Sequence, residues 1–70
     1  MFWWFRRGTD YIRYEARQPA IGVYQLCVIT VDGTQRVETF VNERDLLDRQ
    51  RRLESSLAGD GFTGPHGWNL

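Results

Sequence analysis

Asp32-Gly33 stands between two runs rich in β-branched and aromatic residues, positions 23–31 and 34–41. Asp-Gly readily supplies the positive φ angles of a type I′ turn, so this spacing predicts a β-hairpin with a two-residue loop. Such a loop would set Val28 opposite Val37, Leu26 opposite Thr39 and Tyr24 opposite Val41. Because side chains alternate along a strand, this register also assigns each residue to a face of the sheet. One face then carries Tyr24, Leu26, Val28, Val37 and Val41. The other carries Val23, Cys27, Ile29, Val31 and Phe40, interrupted by Gln25, Arg36 and Glu38.

Upstream, positions 9–17 alternate: Ile12, Tyr14 and Ala16 point one way, and Tyr11, Arg13, Glu15 and Arg17 the other. That is the pattern of a half-buried strand. Positions 18–22, with Pro19 and Gly22, read as a turn. Positions 1–6 read as a further strand, joined through a tight turn near Arg7-Gly8. A tight turn there places Phe2 and Trp4 with Tyr11 and Arg13, and Trp3 and Phe5 with Ile12 and Tyr14.

A helix is signalled after the second run. Asn42 is a natural N-cap, with the acid Asp45 three residues on. Val41 and Leu46 are spaced as a hydrophobic staple. At about 100° per residue, Leu46, Gln50, Leu53 and Leu57 share one face, flanked by Leu47 and Ala58. Gly59 is expected to end the helix as its C′ glycine. Positions 60–70 contain Gly61, Gly64, Pro65 and Gly67 and read as a loop or tail that only Phe62, Trp68 and Leu70 could anchor. The expectation is therefore an α+β fold: a four-stranded antiparallel meander, then one C-terminal amphipathic helix packed on one sheet face, then a Gly-rich tail. Residues 1–59 form a single ββββα domain in this reading, and 60–70 the tail.

An apolar fraction of 41% with 26% charged residues fits a folded chain rather than a disordered one. Nine arginines balance nine acids, and lysine is absent. A net charge of zero removes the long-range attraction to nucleic acid or anionic lipid that a basic domain has. Cys27 is the only cysteine and forms no internal disulfide, which suits a reducing cytoplasm. No stretch approaches the ~20 apolar residues of a membrane span, and the opening residues lack the pattern of a signal peptide.

Little in the sequence points to catalysis. His66 is the only histidine and sits among glycines. Cys27 lies mid-strand between apolar neighbours and reads as a small core hydrophobe. Ser55 and Ser56 have no imidazole in sequence reach. One cysteine and one histidine fall short of a four-ligand zinc site, and the acids lack calcium-loop spacing. The glycine-rich stretches are followed by neither lysine nor a helix, as a phosphate cradle requires. The expectation is a non-enzymatic domain without cofactor or metal.

What one helix cannot do is cover both faces of such a sheet. Contiguous apolar patches above a few hundred Å2 commonly mark binding surfaces on soluble proteins. The uncovered face is thus expected to mediate homo-oligomerisation, most simply an isologous dimer, or binding to another protein. The expected contact residues are Phe2, Trp4, Tyr11, Val23, Ile29 and Phe40, with Arg13 and Arg36 at the rim. The alternative is single-stranded nucleic acid stacked on the same face, using Trp4, Tyr11, Arg6, Arg7, Arg13 and Arg17. Glu15 and Glu38 on that surface favour the protein interface. The helix arginines belong to a solvated face: Asp45 and Arg49, Asp48 and Arg52, and Arg51 and Glu54 have the spacing of intrahelical ion pairs.

Four antiparallel strands followed by one helix resembles the repeat plan of the PUR and Whirly families of dimeric single-strand binders. The resemblance lies in the order of elements alone, without a shared motif. It implies dimerisation and single-strand binding as expectations and transfers no residue roles.

Overall fold

A computed structural model describes residues 2–68, the last of them by its backbone alone. Its order is β1 (Phe2–Arg7), β2 (Asp10–Ala20), β3 (Val23–Ile29), β4 (Gln35–Phe40), α1 (Glu43–Gly59) and β5 (Thr63–Trp68). One antiparallel sheet has the strand order β4-β3-β2-β1-β5, so β2 is its central strand. The meander and the following helix match the sequence expectation. The glycine-rich tail does not: residues 63–68 form a fifth strand against β1. This strand also departs from the ββββα plan that the sequence resembles.

Two-residue turns at Gly8-Thr9 and Ile21-Gly22 join the first three strands, with Gly8 at φ 60 and Gly22 at φ 75. Pro19 falls in β2 itself, where the ladder shifts register between Arg17 and Ala20. A bulge of this kind tolerates a residue that cannot donate a ladder hydrogen bond.

The β3–β4 hairpin corrects the expected register by one residue. Cys27 pairs with Val37, Leu26 with Glu38, Val28 with Arg36 and Tyr24 with Phe40. The loop is Val31-Asp32-Gly33 rather than Asp32-Gly33. A type I′ turn needs positive φ at both central residues, and among the described residues only glycines have it. Here Gly33 N–H donates to Thr30 O, and Thr30 N–H to Thr34 O, each at 2.9 Å. Gly33, at φ 85, takes the left-handed position that closes a three-residue loop. The Asp32 carboxylate accepts from the Thr30 hydroxyl and from Thr34 N–H, which keeps Asp32 out of the left-handed region. Every β4 side chain therefore lies on the face opposite to the one expected.

Asn42 caps α1 as expected, its Oδ1 accepting from Asp45 N–H at 2.9 Å. The expected staple does not form, because Val41 is 81% exposed. The helix also ends two residues later than expected. Gly59 is helical, and Gly61, at φ 89, is the left-handed residue. Gly61 N–H donates to Ala58 O and Phe62 N–H to Leu57 O, closing a Schellman motif. This turn carries Phe62 back into the core beside Leu57.

The core lies between α1 and one sheet face. Phe5, Tyr14, Leu26, Val28, Leu46, Leu57 and Phe62 are buried there, with Trp3, Ile12, Ala16, Tyr24, Phe40 and Leu53 packed around them. Arg7 fastens the helix end to β1. Its guanidinium lies 4.5 Å from the Phe62 ring centre and donates to Asp60 O at 2.9 Å. The last turn of α1 has no basic residue of its own, so Arg7 supplies the cation that favours a helix C-terminus. Gly64 allows β5 to approach β1: a Cβ there would stand 3.0 Å from both the Trp4 carbonyl oxygen and the Phe5 ring.

Candidate sheet-face interface

The face turned away from α1 is composed of rows that cross the strands. One row runs Phe2, Glu15, Cys27, Val37; the next runs His66, Trp4, Arg13, Ile29, Gln35. Arg6 and Tyr11 pair beyond them on one side, and Arg17 and Gln25 on the other. Six of the expected contact residues, Phe2, Trp4, Tyr11, Arg13, Val23 and Ile29, share this open face. Arg36 and Phe40 do not. The one-residue register shift carries both to the helix side, where Phe40 packs against the core. Glu38 moves with them, its Oε1 accepting from Arg49 Nε at 3.1 Å and its Oε2 lying 2.9 Å from the same nitrogen. That contact engages Arg49 with β4 in place of the expected pair with Asp45. Neither of the other two intrahelical ion pairs is present among the described residues, whose ion pairs are Arg7–Asp10, Arg17–Glu15 and Arg49–Glu38.

Of the arginines expected to meet nucleic acid, Arg6, Arg13 and Arg17 lie on the open face. Arg7 points to the helix side, held by Phe62 and Asp60. The open face thus presents three arginines and one acid, Glu15, on a chain whose total charge is zero. Arg17 lies 4.0 Å from Glu15, a long contact, while Arg13 has no ion-pair partner among the described residues.

Aromatic rings fill the β5–β1–β2 side of this face. Trp4 stacks on His66 with ring centres 4.3 Å apart, and its ring centre lies 5.9 Å from that of Tyr11. Stacked and tilted ring pairs at these distances are attractive beyond their buried area. Phe2 is 39% and Tyr11 49% exposed. A groove of about 690 Å3 runs along Trp4, Tyr11, Arg13, Ile29 and Val31. Trp4 Nε1 is buried and has no hydrogen-bond partner among the described residues. Cys27 is buried on this face, its Sγ accepting from Gln35 Nε2 at 3.1 Å.

His66 and the β4 residues Gln35, Val37 and Thr39 reach this face only through pairings that the local sequence pattern does not give. The glycines around His66 predict a loose tail, yet Trp4 and His66 become neighbours as soon as residues 63–68 pair with β1. Val37, 48% exposed, falls on the helix side with a two-residue loop and on the open face with the three-residue loop. Phe62, which could have folded over the open face, is instead under the helix. The Trp68 side chain and Leu70, the other expected anchors, lie outside the described part.

Among the described residues, no three His, Cys, Asp or Glu side chains gather as a metal site, and no helix is long and apolar enough to cross a membrane. In the core, the ionisation of Tyr14 is strongly displaced. Burial, and then the nearby Glu54 carboxylate, push its phenol well above the ordinary tyrosine range. It lies beneath α1, away from the open face.

No protein-family model, curated protein or solved structure shows a significant match to this chain.

Proposed function

We propose that this protein is a non-enzymatic binding module that self-associates through the open face of its sheet. The observation that supports this reading is the open-face set of exposed Phe2, Tyr11 and Val37 with half-buried Trp4 and Ile29, on the side of the sheet opposite α1. The chain's own Phe62 is committed to the other side. Rings and aliphatic side chains held on a rigid sheet favour association because ordering them takes little additional entropy. Trp4 is the central anchor, braced by His66 and Tyr11. Sedimentation velocity at micromolar concentration should report a species of twice the chain mass. Trp4→Ala should weaken it by at least ~30-fold, the loss expected for a buried aromatic hot spot. A wild-type chain that sediments as a monomer at 100-fold dilution and at about 0.1 mM alike would remove the reading.

A second reading, a platform for single-stranded nucleic acid, gains support from the departure of Glu38 to the helix side. Arg6, Arg13 and Arg17 then surround rings on which bases could stack. Three phosphate contacts predict a log–log salt slope of about −2 for a single strand. Fluorescence anisotropy with a labelled mixed-sequence oligonucleotide measures that slope. Flat anisotropy at low salt eliminates this alternative.

A further inference from the structure

The open face carries a charge pattern that is complementary to itself. Arg13 and Glu15 are two residues apart on β2, the central strand, and both point outward. Their Cα atoms are therefore separated by about 6.8 Å along the strand. We propose, building on the self-association above, that two chains pack open face to open face about a two-fold axis that crosses β2 at the level of Tyr14. This sets Arg13 of each chain against Glu15 of the other.

Face-to-face packing requires a two-fold axis lying in the plane between the sheets, and the charges choose its direction. An axis parallel to β2 would stack Arg13 on Arg13 and Glu15 on Glu15. An axis perpendicular to β2 at Tyr14 reverses the strand, so that residues whose numbers sum to 28 face each other. Arg13 then meets Glu15, and Tyr11 meets Arg17, a cation over a ring. The same rotation places the Phe2 row against the Trp4 row, because Phe2 is level with Glu15 and Trp4 with Arg13. Likewise, Cys27 faces Ile29. An isologous interface needs this reciprocity, in which each contact occurs twice. Packed sheets lie about 10 Å apart, a gap that extended arginine and glutamate side chains bridge together. Their mean strand directions differ by about 30°, which keeps the two β2 strands closest at the axis and lets the edges diverge. The pairing also gives a partner to Arg13, which has none among the described residues.

Charge reversal tests this register. Arg13→Glu puts two acids at the centre of each face, and Glu15→Arg puts two bases there. Each variant alone should associate at least ~100-fold more weakly than wild type, as like charges across an interface demand. Mixing the two variants should restore dimers, now heterodimers, and the double variant R13E/E15R should dimerise by itself as wild type does. Arg13 is exposed and Glu15 partly so, and unchanged circular dichroism confirms that the variants fold. If wild type dimerises and both single variants do too, this register is wrong while self-association stands. A wild-type monomer up to about 0.1 mM overturns both. Singles that fail to dimerise and are not rescued by mixing also overturn the register.

Discussion

Phe62→Ala separates a docked fifth strand from a loose tail. In a tail the exchange would be nearly silent. Here the Phe62 ring is 8% exposed, packed with Leu57 and Phe5 in the core cluster and covered by the Arg7 guanidinium. Truncating a buried phenylalanine to alanine removes its transfer energy and leaves a cavity, together about 3 to 5 kcal/mol. A chain of this length has about 3.5 to 10 kcal/mol of stability in total, at roughly 0.05 to 0.15 kcal/mol per residue. The variant should therefore lose about 30% or more of its stability, and its thermal midpoint should fall by at least ~12 °C. Urea denaturation followed by tryptophan fluorescence and far-ultraviolet circular dichroism measures the loss, with Trp3 and Trp4 on β1 reporting the strand to which β5 pairs. Arg7→Ala should cost less, about 1 kcal/mol, because its side chain is half exposed. The two changes share one contact, so together they should cost less than their sum. A Phe62→Ala loss below about 1 kcal/mol would refute the docking of the helix end and of β5.

Two further predictions concern ionisable groups. The Asp32 carboxyl is lowered to about 2, first by the Thr30 hydroxyl and then by Thr34 N–H, so its contribution to stability is present above its unfolded value of 3.8 and disappears as pH falls through about 2. The difference in urea midpoint between wild type and Asp32→Ala should accordingly be constant above pH 5 and shrink between pH 4 and pH 2; a constant difference throughout would contradict the turn geometry. Tyr14 resists ionisation because it is buried, so stability should fall as pH rises above 10, where the unfolded chain loses that proton and the folded chain retains it. Its hydroxyl has no partner in hydrogen-bonding geometry although Gln50 and Glu54 lie near, so Tyr14→Phe should leave stability unchanged or raise it by up to ~1 kcal/mol and should flatten the alkaline fall; a clear loss in urea denaturation would show that the hydroxyl is bonded.

Local signals in the sequence determined the elements. Alternation over positions 9–17, the β-rich runs around Asp32-Gly33, Asn42 as N-cap and the leucines of α1 each depend on neighbours a few residues away, and each is found in the structure. Six of the eight expected contact residues lie on the open face for the same reason: strand parity within β1, β2 and β3 is a local property. Tertiary structure decided the rest. Asp32-Gly33 suits a two-residue or a three-residue loop, and the choice between them, settled by the φ of Asp32 and its bonds to Thr30 and Thr34, moves Arg36, Glu38 and Phe40 to the helix side. The fifth strand was hidden because Gly64, Pro65 and Gly67 give it no strand propensity; it exists through pairing with β1, more than fifty residues away in the chain. That long-range pairing brings His66 onto Trp4, and the docking of α1 beside it draws Phe62 and Arg7 together. Periodicity is written in consecutive residues, whereas register and edge pairing depend on surfaces that meet only once the chain has folded.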